Sequence, residues 1–238
     1  MDVIFDFDFT LLPEESTVEV LKIALENDPQ RPMLMQRLAD IAPRALAGKA
    51  SFGENLFMLQ MARRVRKSHI KLYVERSRDR LLPVFHQLFA DLKQANANIH
   101  IISGGYEEWI KPLAAEWGIS PENVTGNRFL WWRNNAIGLR PSPMWSSKKS
   151  KTFIVGELRK KKIINSPALI IGDGTADRDV WHRGAVRWCV IAEYFNKESL
   201  EDGEHCYKAS TPEEMCQSVL HIVQSRSRES AQQAELVS

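Results

Sequence analysis

The chain has 238 residues, 44% of them apolar, enough for one large core or for a core with an inserted subdomain. A formal net charge of +2 neither demands nor rules out an anionic partner, and three cysteines without CxxC spacing argue against a disulfide framework or a zinc site, as suits a reducing cytosol. No apolar run approaches the ~18 residues of a membrane span, and an N-terminus carrying Asp2, Asp6 and Asp8 is no signal peptide, so a soluble cytoplasmic protein with no membrane partner is expected.

The apolar run Val3-Ile4-Phe5 predicts a buried first strand over residues 2–7. Asp6 and Asp8 follow it directly. A lone Asp-x-Asp is most often a polar turn. Two carboxylates this close repel each other, however, and burying one without a partner costs several kcal/mol, so the pair calls for a cation or a shared proton. Acidic residues at 13–17 open a helix, and Val18, Leu21, Ala24 and Leu25 carry it to the break at Asp28-Pro29.

Residues 31–80 have helical apolar stripes and no strand pattern, with Pro43, Gly48 and Gly53 dividing the pieces. Residues 13–80 are therefore predicted to be a small helical bundle inserted after the first strand. Its last part, 63–80, is rich in arginine and lysine. A solvated helix face, with Glu75 and Asp79 interleaved, is the preferred reading over a nucleic-acid surface, because no aromatic residues are interleaved with the charges.

A helix is predicted over 82–98. A second strand, Ile99-His100-Ile101-Ile102, then runs into Ser103-Gly104-Gly105, with His100 read as structural. After a helix over 106–117, residues 124–145 read as a strand pair turning at Asn134-Asn135, with tryptophans that serve packing. The lysines 148, 149 and 151 precede a helix over 152–162. The third strand, 168–171, ends in Gly172-Asp173-Gly174-Thr175-Ala176-Asp177. A fourth strand is expected at 187–191, a closing helix at 212–224, and a disordered tail at 225–238.

Three apolar runs thus end abruptly in small or acidic residues, with helices between them. That alternation predicts an α/β fold, a doubly wound parallel sheet with an inserted helical subdomain. The carboxyl ends of its strands would share one crevice. Asp6, Asp8, Asp173 and Asp177 would need a cation there, and hard oxygen ligands suit Mg²⁺. Ser103 and the glycine amides after it can donate to phosphate oxygens, and a lysine from 148–151 can balance the anionic charge.

Taken together, Asp6-Phe7-Asp8-Phe9-Thr10, Ile102-Ser103-Gly104-Gly105, Lys151 and Gly172-Asp173-Gly174-Thr175-Ala176-Asp177 resemble the four motifs of the haloacid dehalogenase superfamily, in its phosphoserine-phosphatase-like branch. The resemblance spans nearly the whole chain. It implies a catalytic core of residues 1–12 and 81–224 and a cap of residues 13–80, whose Gly48-Lys49-Ala50-Ser51-Phe52 resembles a recurrent cap segment. It also implies catalytic roles for Asp6 as nucleophile and Asp8 as acid and base. Asp6, Asp8 (through its carbonyl), Asp173 and Asp177 would hold Mg²⁺, while Ser103, Gly104 and Lys151 grip the phosphoryl group of a small phosphorylated metabolite. Lys148 and Lys149 lie close enough to substitute for Lys151.

Glu15 stands where the branch keeps a glutamate for the substrate's amine, although helix N-terminal charge explains it equally well. Leu59 stands in place of an arginine that pairs a carboxylate, and Ala176 in place of an asparagine. Both departures put phosphoserine specificity in question, with Arg63 or Arg64 as candidate compensation. Transfer of phosphate to an acceptor other than water, or a non-catalytic nucleic-acid-binding or regulatory role, are the alternatives. Nucleic acid is not the expected partner.

Overall fold

The computed structural model describes residues 1–46, 49–145, 150–165, 167–196 and 200–235. After β1 (Asp2–Phe5) come four helices, α1 (Ser16–Ala24), α2 (Arg31–Leu46), α3 (Phe52–Ala62) and α4 (Lys67–Ser77). Next are α5 (Pro83–Gln94), β2 (Asn98–Tyr106), α6 (Glu107–Glu116), β3 (Val124–Asn127), β4 (Phe129–Trp132) and β5 (Asn135–Leu139). The chain closes with α7 (Ser150–Lys160), β6 (Ala168–Gly172), α8 (Thr175–His182), β7 (Trp188–Ala192), β8 (Cys206–Ala209) and α9 (Pro212–Glu235).

Six strands form one parallel sheet in the order β3-β2-β1-β6-β7-β8. Every residue of β1, β6 and β7 is buried, as expected of strands covered on both faces. Side-chain alternation sorts them. Val3, Phe5, Leu169 and Ile171 face the cluster that contains Phe85 and Phe89 of α5. Ile4 and Ile170 face the opposite cluster, with Val155 of α7 and Val180 of α8. This is the predicted doubly wound α/β architecture. The expected four strands become six because β3 and β8 are short edge strands, four residues each, too brief to show a periodic pattern.

β3 also corrects the strand pair expected over 124–145. Val124–Asn127 pairs in parallel with β2, and only β4 and β5 form the antiparallel hairpin. Its turn falls at Arg133-Asn134, with Arg133 at φ +52°, while Asn135 already pairs with Trp132. The inner face of the hairpin continues an aromatic stack: Tyr106 lies 4.3 Å from Phe129, and Phe129 5.4 Å from Trp131, centroid to centroid.

Between β1 and α5 every described element is helical. The Ser51–Glu54 capping box starts α3, so Gly53 sits in a capped first turn and does not divide helices. α2 likewise continues through Pro43 to Leu46, and Gly48 lies outside the described residues. Glu14 joins the two ends of this helical segment. It accepts a hydrogen bond from Tyr73 Oη at 3.0 Å and pairs with Arg80. Several cations of the basic stretch are matched locally, Arg64 by Asp28 and Arg78 by Glu116, both at 2.8 Å.

At the amino end of the sheet, His100 Nε2 lies 2.9 Å from Asp2, which is buried, in keeping with a structural histidine. α9 runs on to Glu235, into the stretch expected to be a disordered tail. The glutamates, glutamines and alanines there are good helix formers even without an apolar face. No helix among the described residues is long and apolar enough to cross a membrane.

Phe5 and Phe89 meet edge to face at 5.5 Å, both fully buried under the central strand. Phe89→Ala is expected to cost about 3–5 kcal/mol, read from the urea midpoint. A loss below about 1 kcal/mol would show that this contact does not anchor α5 to the sheet.

Candidate active site

β1 lies between β2 and β6, so successive connections leave it in opposite directions and open a crevice at the strands' carboxyl ends. The register pairs Phe5 with both Ile101 and Ile171. Asp6, Ser103 and Asp173 therefore emerge within two residues of one level. The Asp6 amide donates to Ile171 O at 2.8 Å, and one Asp6 oxygen accepts from the Phe7 amide at 2.8 Å. The chain then turns back through a tight loop, in which the Leu11 amide donates to Phe7 O at 2.9 Å and Phe9 sits at φ +51°. A bulky residue in the left-handed region is strained, a cost the loop's hydrogen bonds and the buried Phe7, Leu11 and Leu12 offset.

Ligand oxygens of Asp6, Asp173 and Asp177 all lie within 4.8 Å of one another. Lys151, in the first turn of α7, places Nζ 2.7 Å from Asp6 and 2.6 Å from Asp177. Lys148 and Lys149 lie outside the described residues. Asp177 reaches this position because Gly172 has no side chain: a Cβ there would meet the Asp177 carboxyl carbon at 2.1 Å. Asn196 donates to Asp173 Oδ2 at 2.8 Å.

Asp8 is held apart from these three. Its Oδ1 accepts the Ser16 amide at 2.9 Å, and the buried Trp109 indole donates to the Ser16 hydroxyl at 2.9 Å. Gly105 closes the other side, where a Cβ would come within 3.3 Å of Asp8 Oδ2. Ser103 is fully buried, and its hydroxyl accepts the Gly105 amide at 3.0 Å. Gly104 is exposed at the crevice edge, with open space on its side-chain side.

The electrostatics follow from burial. Burial, then the charge of Glu15, pushes Asp8 well above the ordinary carboxylate range. Burial also raises Asp177 well above that range, although Lys151 opposes the shift. Glu15 rises to about 7 through burial and the nearby Asp6 charge, and Asp173 to about 6 for the same reasons. Burial alone would depress Lys151, but Asp177 and Asp6 outweigh it and hold the ammonium above its usual value. Among the described residues, one ammonium thus serves a crevice with five carboxyl groups (Asp6, Asp8, Glu15, Asp173 and Asp177). A hard divalent cation among Asp6, Asp173 and Asp177 removes that imbalance, and the all-oxygen donor set suits one.

Of the residues named from sequence, Asp6, Asp173, Asp177 and Lys151 come together, with Asp8 held apart beside Ser16 and the Ser103 hydroxyl turned to the Gly105 amide. Ser16, Trp109 and Asn196 went unnamed, because a lone serine, tryptophan or asparagine carries no pattern of its own. Leu59 is half-buried and packs toward Gly138 of the hairpin.

The profile of haloacid dehalogenase-like hydrolases matches residues 3–180, and the chain belongs to that family. Within it, the chain falls on the phosphoserine-phosphatase-like branch. It is 27% identical over 176 residues to the chloroplastic phosphoserine phosphatase of Arabidopsis thaliana, covering 74% of this chain but only 57% of that protein. To human phosphoserine phosphatase it is 25% identical over 177 residues, 74% of this chain and 75% of the other. Among solved structures, a phosphoserine phosphohydrolase-like protein from Francisella tularensis superposes with a TM-score of 0.71 at 24% identity, covering 91% of this chain and 98% of that one. A phosphoserine phosphatase in a phospho-aspartyl intermediate analogue form gives 0.61 at 16% identity, over 88% and 93% of the two chains.

The raised acids make a signed prediction. Each binds its proton more tightly in the folded chain than in the unfolded one. Each therefore adds stability that is complete below about pH 4 and lost as pH rises through about 6 for Asp173 and about 7 for Glu15. A divalent cation replaces those protons. The rise in melting temperature on adding Mg²⁺ to chelator-treated protein should grow between about pH 5 and about pH 8. A Mg²⁺ effect that is absent, or that shrinks over this interval, would contradict the account.

Proposed function

We propose that the chain is a Mg²⁺-dependent phosphomonoesterase acting on a small phosphorylated metabolite. The observation that carries this reading is the convergence of Asp6, Asp173, Asp177 and Lys151, with Asp8 held separately beside them. Asp6, the main chain of Asp8, Asp173 and Asp177 would hold the ion, which when bound supplies positive charge to the phosphoryl oxygens.

Asp6 attacks phosphorus, forming an aspartyl-phosphate as the ester P–O bond breaks. Asp8, protonated because its pKa is raised, gives its proton to the departing oxygen. Asp8 then takes a proton from water as that water attacks phosphorus, which breaks the aspartyl P–O bond and releases phosphate. Ser103, the Gly104 amide and Lys151 stabilise the transferring group, so most of the rate acceleration is positioning and charge stabilisation.

Residues 1–12 and 81–224 act as the core in this reading, and residues 13–80 as a cap that gates the crevice. The exposed apolar Phe52 and Leu56 on α3 support it, since they offer a surface to close over a substrate. In this reading Glu15, whose proton affinity the charges of Asp6 and Asp173 raise, would meet a substrate amine. Leu59, turned toward the hairpin, gives a substrate carboxylate no partner.

Purified protein should release phosphate from an aryl phosphate only with Mg²⁺ present. Asp6→Asn should lower kcat by about 10³-fold or more, and Asp8→Asn by about 10²–10⁴-fold, both in steady-state assays. Wild-type protein that stays inert across a broad panel of phosphomonoesters would defeat the proposal.

Specificity is tested separately. kcat/KM values for phosphoserine and phosphoethanolamine should agree within about tenfold, because the carboxylate that distinguishes them gains no ion pair at Leu59. A preference for phosphoserine of about a thousandfold would show that another residue pairs that charge.

A further inference from the structure

The basic stretch after α3 and the β4–β5 hairpin are distant in the chain but form one surface. The Lys67 amide donates to Asn134 O, and the Ala136 amide to Val65 O, both at 3.0 Å. Lys67 Nζ also lies 5.8 Å over the Trp131 ring. The aromatic residues missing from the basic segment are thus supplied in space by the hairpin.

Strand alternation splits the hairpin into two faces. Phe129 and Ala136 are buried against the protein. Leu130, Trp132 and Ile137 point the other way and are 45%, 65% and 44% exposed. The sheet has only two strands. Leu59 of α3 reaches this side at Gly138, opposite Leu130, and leaves the three apolar side chains exposed. Three large apolar side chains on one small sheet form a patch, unlike apolar residues scattered singly over a surface.

The rim of the patch is basic. Residues 55–74 and 124–140 contain eight arginines and lysines and no aspartate or glutamate. Arg64, Lys71 and Arg128 are matched by Asp28, Glu75 and Glu107 from outside those stretches. Arg63, Arg133 and Arg140 have no acidic partner among the described residues.

We propose that this face docks peripherally on an anionic lipid bilayer. Trp132, Leu130 and Ile137 enter the headgroup boundary, where an indole and its aliphatic neighbours are favoured. Arg63 and Arg133 meet the lipid phosphates. Two features select this occupant. A second copy of the chain would set one basic rim against another, which like charges oppose. Single-stranded nucleic acid stacks its bases on successive rings, and among its exposed apolar residues this face presents one, Trp132, flanked by the aliphatic Leu130 and Ile137. The expectation of no membrane partner rests on the absence of a long apolar run. The present face is assembled from two separate segments and spans nothing. The proposal goes beyond the phosphatase reading and stands without it.

The test is flotation of the full chain with phosphatidylcholine vesicles, with and without phosphatidylserine. Binding should require phosphatidylserine and weaken as salt is raised. Trp132→Ser and Arg133→Ser should each lower the partition coefficient about fivefold or more, with an unchanged melting temperature. Bromine-labelled lipid should quench part of the tryptophan emission of the wild type, and that part should be missing in Trp132→Phe, a variant that keeps the apolar ring. Equal recovery with neutral and anionic vesicles, or wild-type binding by Trp132→Ser, would overturn the proposal. So would a dimer that Trp132→Ser dissociates, or binding to a nucleic-acid homopolymer in place of vesicles.

Discussion

The ammonium of Lys151, clamped between Asp6 and Asp177, is the interaction on which the carboxyl end of the sheet depends. It is nearly buried, and so are its partners. A buried ammonium is tolerable only with carboxylates against it, and buried carboxylates only with cations. The strand order follows this demand. With β1 between β2 and β6, the acids after β1 and β6 arrive side by side, and α7 and α8 can bring Lys151 and Asp177 over the same point. Among the described residues this one ammonium falls short of the acids around it, and the raised proton affinities of Asp173, Asp8 and Glu15 express the deficit. Further positive charge in the crevice would relieve it.

Much of this was legible in the sequence because the relevant strands are uniform. β1 and β6 are unbroken apolar runs, and such runs that end in acids announce both the buried strand and the chemistry at its tip. β8 was not legible, since two of its four residues face outward and its neighbours are polar. β3 was misassigned to a hairpin because it continues into β4 with only Arg128 between them, and periodicity does not show which partner a strand takes. Gly53 looked like a divider until the Ser51–Glu54 cap placed it inside α3. Isolated breakers are overridden when a local hydrogen-bond pattern compensates for them.

The supporting residues of the site were harder still to foresee. Ser16 orients Asp8 with its amide while its hydroxyl accepts from Trp109, and the Trp109 ring lies tilted at 5.0 Å against Tyr106, which in turn stacks on Phe129 of the hairpin. Each is ordinary by sequence. Their importance comes from a packing chain that crosses four elements and leads from the hairpin to the Asp8 carboxylate. Basic residues of α4 and aromatic residues of β4 likewise had no visible relation until the fold laid them together.

Glu14, held by Tyr73 and by Arg80, brings the two ends of a sixty-odd-residue excursion to one place. The closure entropy of that excursion is thereby settled largely at its base, and further length between the clasped ends adds to it only logarithmically. The helices beyond the clasp stay tied to the rest of the fold, by the Val65 and Lys67 backbone bonds to the hairpin and by Tyr73 against Trp109, so a change of length within them would register at the hairpin and at α6.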